Sequence, residues 1–159
     1  MKMMGASWDT YALVVTDRRL IMAQITADML NAAYKEAAER AKAEGMGFLG
    51  QGAHQMSVAF QYCQRYETLS PEFALAETKG NRGIENVQIT AVDMKDKPTH
   101  QDSMEYHEFI MTVKSPEGKF EFHIGEDDRF VTILKTAYGE KVHMPFGYFR
   151  VGGARIKLF

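Results

Sequence analysis

The sequence predicts a mixed α+β fold, and three stretches of the 159-residue chain carry that prediction. Tyr11–Thr26 holds two short apolar runs, Leu13-Val14-Val15 and Leu20-Ile21-Met22, hinged on the polar Thr16-Asp17-Arg18-Arg19. Bulky and β-branched runs broken by a turn-forming Asp read as antiparallel strands joined tightly. Further on, Phe109, Met111 and Val113 alternate with polar neighbours, and Phe120, Phe122 and Ile124 do the same beyond Ser115-Pro116-Glu117-Gly118. Period-two alternation on both sides of a Pro- and Gly-bearing turn marks a hairpin with one buried face. The third stretch, Asp127–Tyr138, opens on acids that suit a helix start and places Phe130, Ile133, Leu134 and Ala137 on one stripe. Gly139 stands where a C-cap glycine belongs.

The intervening elements follow in order. From Ala27 to Glu44 the residues Met29, Leu30, Ala33, Tyr34, Ala37, Ala38 and Ala41 recur at helical spacing, with Thr26 placed to cap the start. Lys35/Glu39 and Glu36/Arg40 are i,i+4 pairs on the outer face. The stripe is mostly alanine, so this helix either packs closely on a neighbour or is only marginally buried. The glycine-rich run 45–52 ends it. A second amphipathic segment carries Met56, Ala59, Phe60, Cys63 and Tyr66 on one stripe. Ser70-Pro71-Glu72 is a helix start signal, predicting a short helix from Pro71 to about Lys79 that closes at Gly80. Val87, Ile89 and Ala91 alternate with Asn86, Gln88 and Thr90 as in a half-buried strand, and Lys95–Ser103, with Pro98, reads as a polar loop. Tyr148–Val151 and Ala154–Phe159 flank Gly152-Gly153 as a terminal hairpin with a primed turn.

Bulk composition sets bounds on function. An apolar content of 45% and a charged content of 25% are those of a soluble globular protein of one domain. A net charge of −2 argues against the broad basic face that a nucleic-acid partner needs. Cys63 is the only cysteine, so no internal disulfide forms and a reducing, cytoplasmic setting is expected. The N-terminal MKMMGASWDT lacks the apolar stretch of a signal peptide, and no window approaches the roughly 18 apolar residues of a membrane span. The eleven methionines read as adaptable core filler, or else as a promiscuous binding surface.

The order of these elements, with LVVTDRRLI early and SPEFALAETKGNRGIENVQITAVDM later, resembles bacterial PH-like and GRAM-like proteins of the pleckstrin-homology superfold. The resemblance covers Tyr11–Thr26 and Ser70–Val142. It implies a partly open β-barrel of two antiparallel sheets with a C-terminal capping helix. On that pattern residues 1–159 form a single PH-like domain, in which 27–69 is a helical insertion after the first hairpin and 143–159 a C-terminal hairpin extension. The superfold hosts lipid, peptide and protein binders alike, so fold resemblance does not decide function.

Candidate sites are few. Arg18 and Arg19 stand at a hairpin tip, where a PH-like fold presents cations to a phosphate headgroup; the competing reading is a solvated turn with one arginine in a structural ion pair. Met46, Phe48 and Leu49, apolar residues among glycines, suit contact with a membrane interface or a partner, and equally a buried turn. The glycine run 45–52 follows a helix and lacks the Lys-Ser/Thr of a phosphate-binding loop. His54, His100, His107, His123 and His143 show no ligand spacing, and hairpin register puts His107 and His123 at different heights, so no metal is expected. Nothing assembles into a nucleophile, base and oxyanion hole, so no catalytic residue and no cofactor are expected. The expectation is a non-enzymatic interaction module that self-associates or binds a protein partner. The alternative is a peripheral domain for anionic lipid headgroups, and a remote third is an enzyme of unrecognised type.

Overall fold

The computed structural model of the protein describes residues 9–43, 62–101, 104–125, 127–146, 148–151 and 154–157, with side chains described except at 97–107 and 148–157. The fold is mixed α+β, with one sheet of three strands, one of four and a separate two-stranded hairpin. Both larger sheets have open strand orders, β1-β2-β3 and β6-β5-β4-β7, and no closed barrel forms among the described residues. The chain divides into two compact units, Met1–Thr16 with Leu20–Gly83, and Asp17–Arg19 with Ile84–Phe159.

The first unit begins with the expected hairpin. Strand β1 (Thr10–Val15) pairs antiparallel with β2 (Arg19–Ile25), in a register that sets Ala12 opposite Ala23 and Val15 opposite Leu20. Leu20, Ile21, Met22, Ala23 and Ile25 are all buried, so β2 is covered on both faces, which is why it reads as a continuous apolar run. Ile21, Ala23 and Ile25 join Ala12, Tyr66 and Ala74 in one core cluster, with Val14, Met29, Leu30, Cys63 and Leu75 packed against it.

Helix α1 (Ala27–Ala43) starts where Thr26 predicts, and the Thr26 hydroxyl accepts from the Met29 N–H at 3.2 Å. Its stripe lies where the periodicity places it. Only Ala41 is buried, while Met29, Leu30, Ala33, Tyr34, Ala37 and Ala38 are half-buried, so the alanine-rich face is the marginally covered kind. Glu36 and Arg40 form the anticipated i,i+4 ion pair. Of the second amphipathic segment, residues 62–64 are helical and tighten into a 3₁₀ turn at Arg65–Glu67; Met56, Ala59 and Phe60 lie outside the described residues.

Ser70 caps helix α2 (Pro71–Ala76), its hydroxyl accepting from the Phe73 N–H at 3.2 Å. The helix ends three residues before the predicted Lys79 because Asn81 intercepts it. The Asn81 side-chain amide donates to the Ala74 carbonyl at 2.5 Å, while its side-chain oxygen accepts from the Gln24 N–H of β2 at 2.8 Å. One side chain thus satisfies an orphan carbonyl of the helix end and ties it to the sheet. Gly80 allows this close approach, since a Cβ there would meet the Gln24 side chain.

In the second unit three expectations are corrected, two of them before the central hairpin. Residues 86–90 do not form a strand, and of the predicted segment only Ala91 is in one. Strand β3 (Arg82–Glu85) precedes them, Asn86–Gln88 is a 3₁₀ turn closed by the Ile89 N–H on the Asn86 carbonyl, and Val87 is 87% exposed while Ile89 is buried. Six alternating residues satisfy a tight turn as readily as a strand. The supposed loop Lys95–Ser103 is largely strand: β4 (Ala91–Gln101) pairs antiparallel with β5 (Met104–Ser115) along its whole length. Pro98 fits because β4's other neighbour, β7 (Val142–His143), covers only Val92 and Asp93. Beyond that point Pro occupies a sheet edge, where a missing N–H is tolerated.

The β5–β6 hairpin is as predicted. Strand β6 (Gly118–Gly125) pairs in a register centred on Pro116-Glu117, with Ser115 opposite Gly118, whose φ of 135° only glycine adopts readily. Val92 and Met94 on β4 and Phe109, Met111 and Val113 on β5 make a fully buried row. Phe120, Phe122 and Ile124, on the edge strand, are half-buried. Helix α3 (Asp128–Tyr138) is capped by the Asp127 carboxylate, which accepts from the Arg129 and Phe130 N–H groups, and ends at Gly139 with φ 56°. Its buried stripe is Val131, Leu134 and Tyr138, not Phe130, Ile133 and Ala137; Ile133 is exposed. The stripe is rotated by one position because Tyr138 reaches inward and donates its hydroxyl to Asn86 Oδ1 at 3.1 Å. Strands β8 (Tyr148–Val151) and β9 (Ala154–Lys157) form the terminal hairpin, with Val151 opposite Ala154.

Candidate functional site

The tip of the first hairpin is held by the start of the chain segment that follows β3. The Arg18 carbonyl accepts from the Asn86 N–H at 2.8 Å, and Arg19 Nε lies 3.6 Å from Glu85 Oε1. Arg19 is therefore engaged in an ion pair, and Arg18 is exposed. A surface pair of this kind contributes about 1 kcal/mol or less. Met46, Phe48 and Leu49 lie outside the described residues, as does His54. His123 sits opposite Ile110 and His107 opposite Pro98, so these two histidines stand at different heights, as the hairpin register implies.

Two polar clusters exist that sequence reasoning did not find. In the first unit, Arg65 donates to the Tyr62 hydroxyl and to Glu77 Oε1, and its guanidinium lies 4.8 Å from the centre of the Tyr62 ring and 5.6 Å from that of Tyr66. Tyr66 donates its hydroxyl to Glu77 Oε2 at 2.6 Å. Burial, reinforced by that carboxylate, pushes the Tyr66 hydroxyl well above its ordinary range. Glu77 is only 11% exposed, and both its oxygens are occupied. Spacing could have flagged Tyr62, Arg65 and Tyr66 as one helical face; Glu77 comes from beyond α2, and nothing local announces it. The Cys63 thiol beside them is half-buried and its pKa is raised by burial, the opposite of an activated nucleophile.

The other cluster bridges three strands of the four-stranded sheet. Asp93 on β4 holds Lys114 Nζ at 2.5 Å on one side and His143 Nδ1 at 2.7 Å on the other. The parallel register that sets His143 beside Asp93 makes this pair the side-chain tie of the two-residue strand β7. Hydrogen bonds from Lys114 and then His143 hold the Asp93 carboxyl below its ordinary value. Its contribution to stability is therefore fully present above the ordinary Asp value of about 4 and is lost as pH falls through the lowered one. Thermal melts of Asp93→Asn between about pH 2 and 6 should show a shallower acid limb than the parent chain. Equal slopes would contradict the assignment.

These geometries limit the chemistry on offer. An Asp–His pair is the orienting half of an acid–base device, but His143 is 60% exposed on the polar face of the sheet, where water competes for every proton. The Arg65–Glu77 pair is closed on itself and on two tyrosines. Among the described residues, no group of three or more His, Cys, Asp or Glu side chains is placed to hold a metal ion. No helix among them is long and apolar enough to cross a membrane. Compared with protein-family models, with curated proteins and with solved structures, the chain matches none.

Proposed function

We propose that the chain is a non-enzymatic interaction module of the PH-like kind whose role is to associate with itself. The PH-like reading is supported by element order: a strand hairpin, a helical excursion, an antiparallel meander and then one amphipathic helix. Strand β7, which returns after that helix to pair parallel with β4, departs from the pattern.

The observation that carries self-association is the terminal hairpin. Strands β8 and β9 pair with each other and with no other described strand. A two-stranded hairpin is marginal in water by itself, and its outer edges offer unpaired backbone groups to another chain. Phe146, three residues past β7, is 98% exposed and leads directly into this element. The half-buried stripe of α1 offers a further surface on which protomers can pack.

Sedimentation velocity at micromolar concentration tests the reading. The full chain is expected to run as a dimer or larger species, and a variant lacking Tyr148–Phe159 as a monomer. A full-length monomer, unchanged by the deletion, would contradict it. The membrane reading through Arg18, Arg19 and the Met46–Leu49 stretch is less well supported, because Arg19 already serves Glu85.

A further inference from the structure

We propose that the surface engaged by the terminal hairpin is the acidic body of a second copy of this chain, and that the contact is held largely by charge. This rests on the self-association reading above and names what the hairpin binds. Residues 148–159, YFRVGGARIKLF, carry Arg150, Arg155 and Lys157 and no acid. The whole chain has 19 basic and 21 acidic residues, so removing those three bases leaves residues 1–147 with 16 against 21, a net charge of −5 beside a hairpin of +3.

Register then sorts the hairpin. Arg150 is opposite Arg155 and Tyr148 opposite Lys157, while the intervening pairs are Phe149 with Ile156 and Val151 with Ala154. Alternate pairs of an antiparallel ladder belong to opposite faces. The cationic positions are thus collected into one set and the apolar positions into the other.

Charge selects among the occupants. Two hairpins meeting would bring six cations together. An anionic membrane would attract the hairpin, but it would repel a body of −5 tethered by residues 144–147, which span about 14 Å at most, close to the screening length of dilute salt. The body of a second copy has the complementary sign. Reciprocal docking, hairpin onto body in both directions, closes into a two-fold dimer.

Sedimentation velocity of the full chain across salt, from about 0.02 M to about 0.5 M, should show the dimer dissociation constant rising by at least about tenfold. Arg150→Glu/Arg155→Glu/Lys157→Glu should be monomeric at low salt. Arg150→Lys/Arg155→Lys, which keeps the charge, should still associate, and this guards against reading a folding defect as lost binding. If deleting Tyr148–Phe159 abolishes association but salt and charge reversal change the constant less than about twofold, this inference is overturned and the self-association reading stands. A full chain that is monomeric at every salt overturns both. A chain that is monomeric alone but sediments with phosphatidylserine vesicles at low salt overturns the inference in favour of a membrane.

Discussion

Phe109→Ala should cost about 3–5 kcal/mol, the full penalty for truncating a core aromatic. Phe109 is completely buried on β5, the strand held by ladders on both sides, with Ile124 of β6 and Asp96 of β4 directly across from it. Met111 and Val113 continue its row, also completely buried. A strand clamped between two neighbours cannot shift to fill the void, so the cavity term adds to the lost transfer term. Domains of this size have a total stability of about 5–15 kcal/mol, so the variant should lose a large share of it. Urea titration reads this as a fall in midpoint with little change in slope. Phe122→Ala on the half-buried edge strand should cost distinctly less. Equal losses at the two positions would mean that the row is not the core of its sheet.

Glu77→Ala is expected to be the most costly polar substitution, at about 2–3 kcal/mol. It strips the partner from a one-third-exposed Arg65 and leaves the buried Tyr66 hydroxyl without its acceptor. Partial exposure of Arg65 holds the figure below the range for a fully buried pair. Glu77→Gln keeps an acceptor for Tyr66 and loses the charge, so it should fall between the parent and the alanine variant. The double variant Arg65→Met/Glu77→Leu should recover much of the loss, because neither charge then needs compensation. If the double variant is as unstable as Glu77→Ala, the network contributes through something other than paired charge.

These two sites differ in how far the sequence exposed them. The Phe109 row was legible, because alternation against a Ser-Pro-Glu-Gly turn leaves one register, and the buried face follows from it. Thr26 and Ser70 were legible as caps, and Asp127 as a helix-start acid, for the same reason: the hydroxyl or carboxylate acts within three residues of its own position. Failures occurred where distant partners decided the outcome. Asn81 shortened α2 by bonding to Gln24, 57 residues away in sequence. Lys95–Gln101 reads as loop because of its polarity and Pro98, yet β5 supplies a partner for its whole length. Strand β7, two residues long, has no periodicity to detect. Glu77 and Asp93 acquire their meaning only from side chains that other elements deliver. Of the headgroup candidates, Arg19 is bound by Glu85, a residue beyond the reach of any local pattern.

The central claim is that the terminal hairpin is completed by another copy of the chain. Amide hydrogen exchange of residues 148–157, followed from sub-micromolar to high-micromolar protein, measures this at the element itself. Protection that rises with concentration, in step with the dimer fraction, is the predicted result. Protection independent of concentration, whether high or absent, would contradict it.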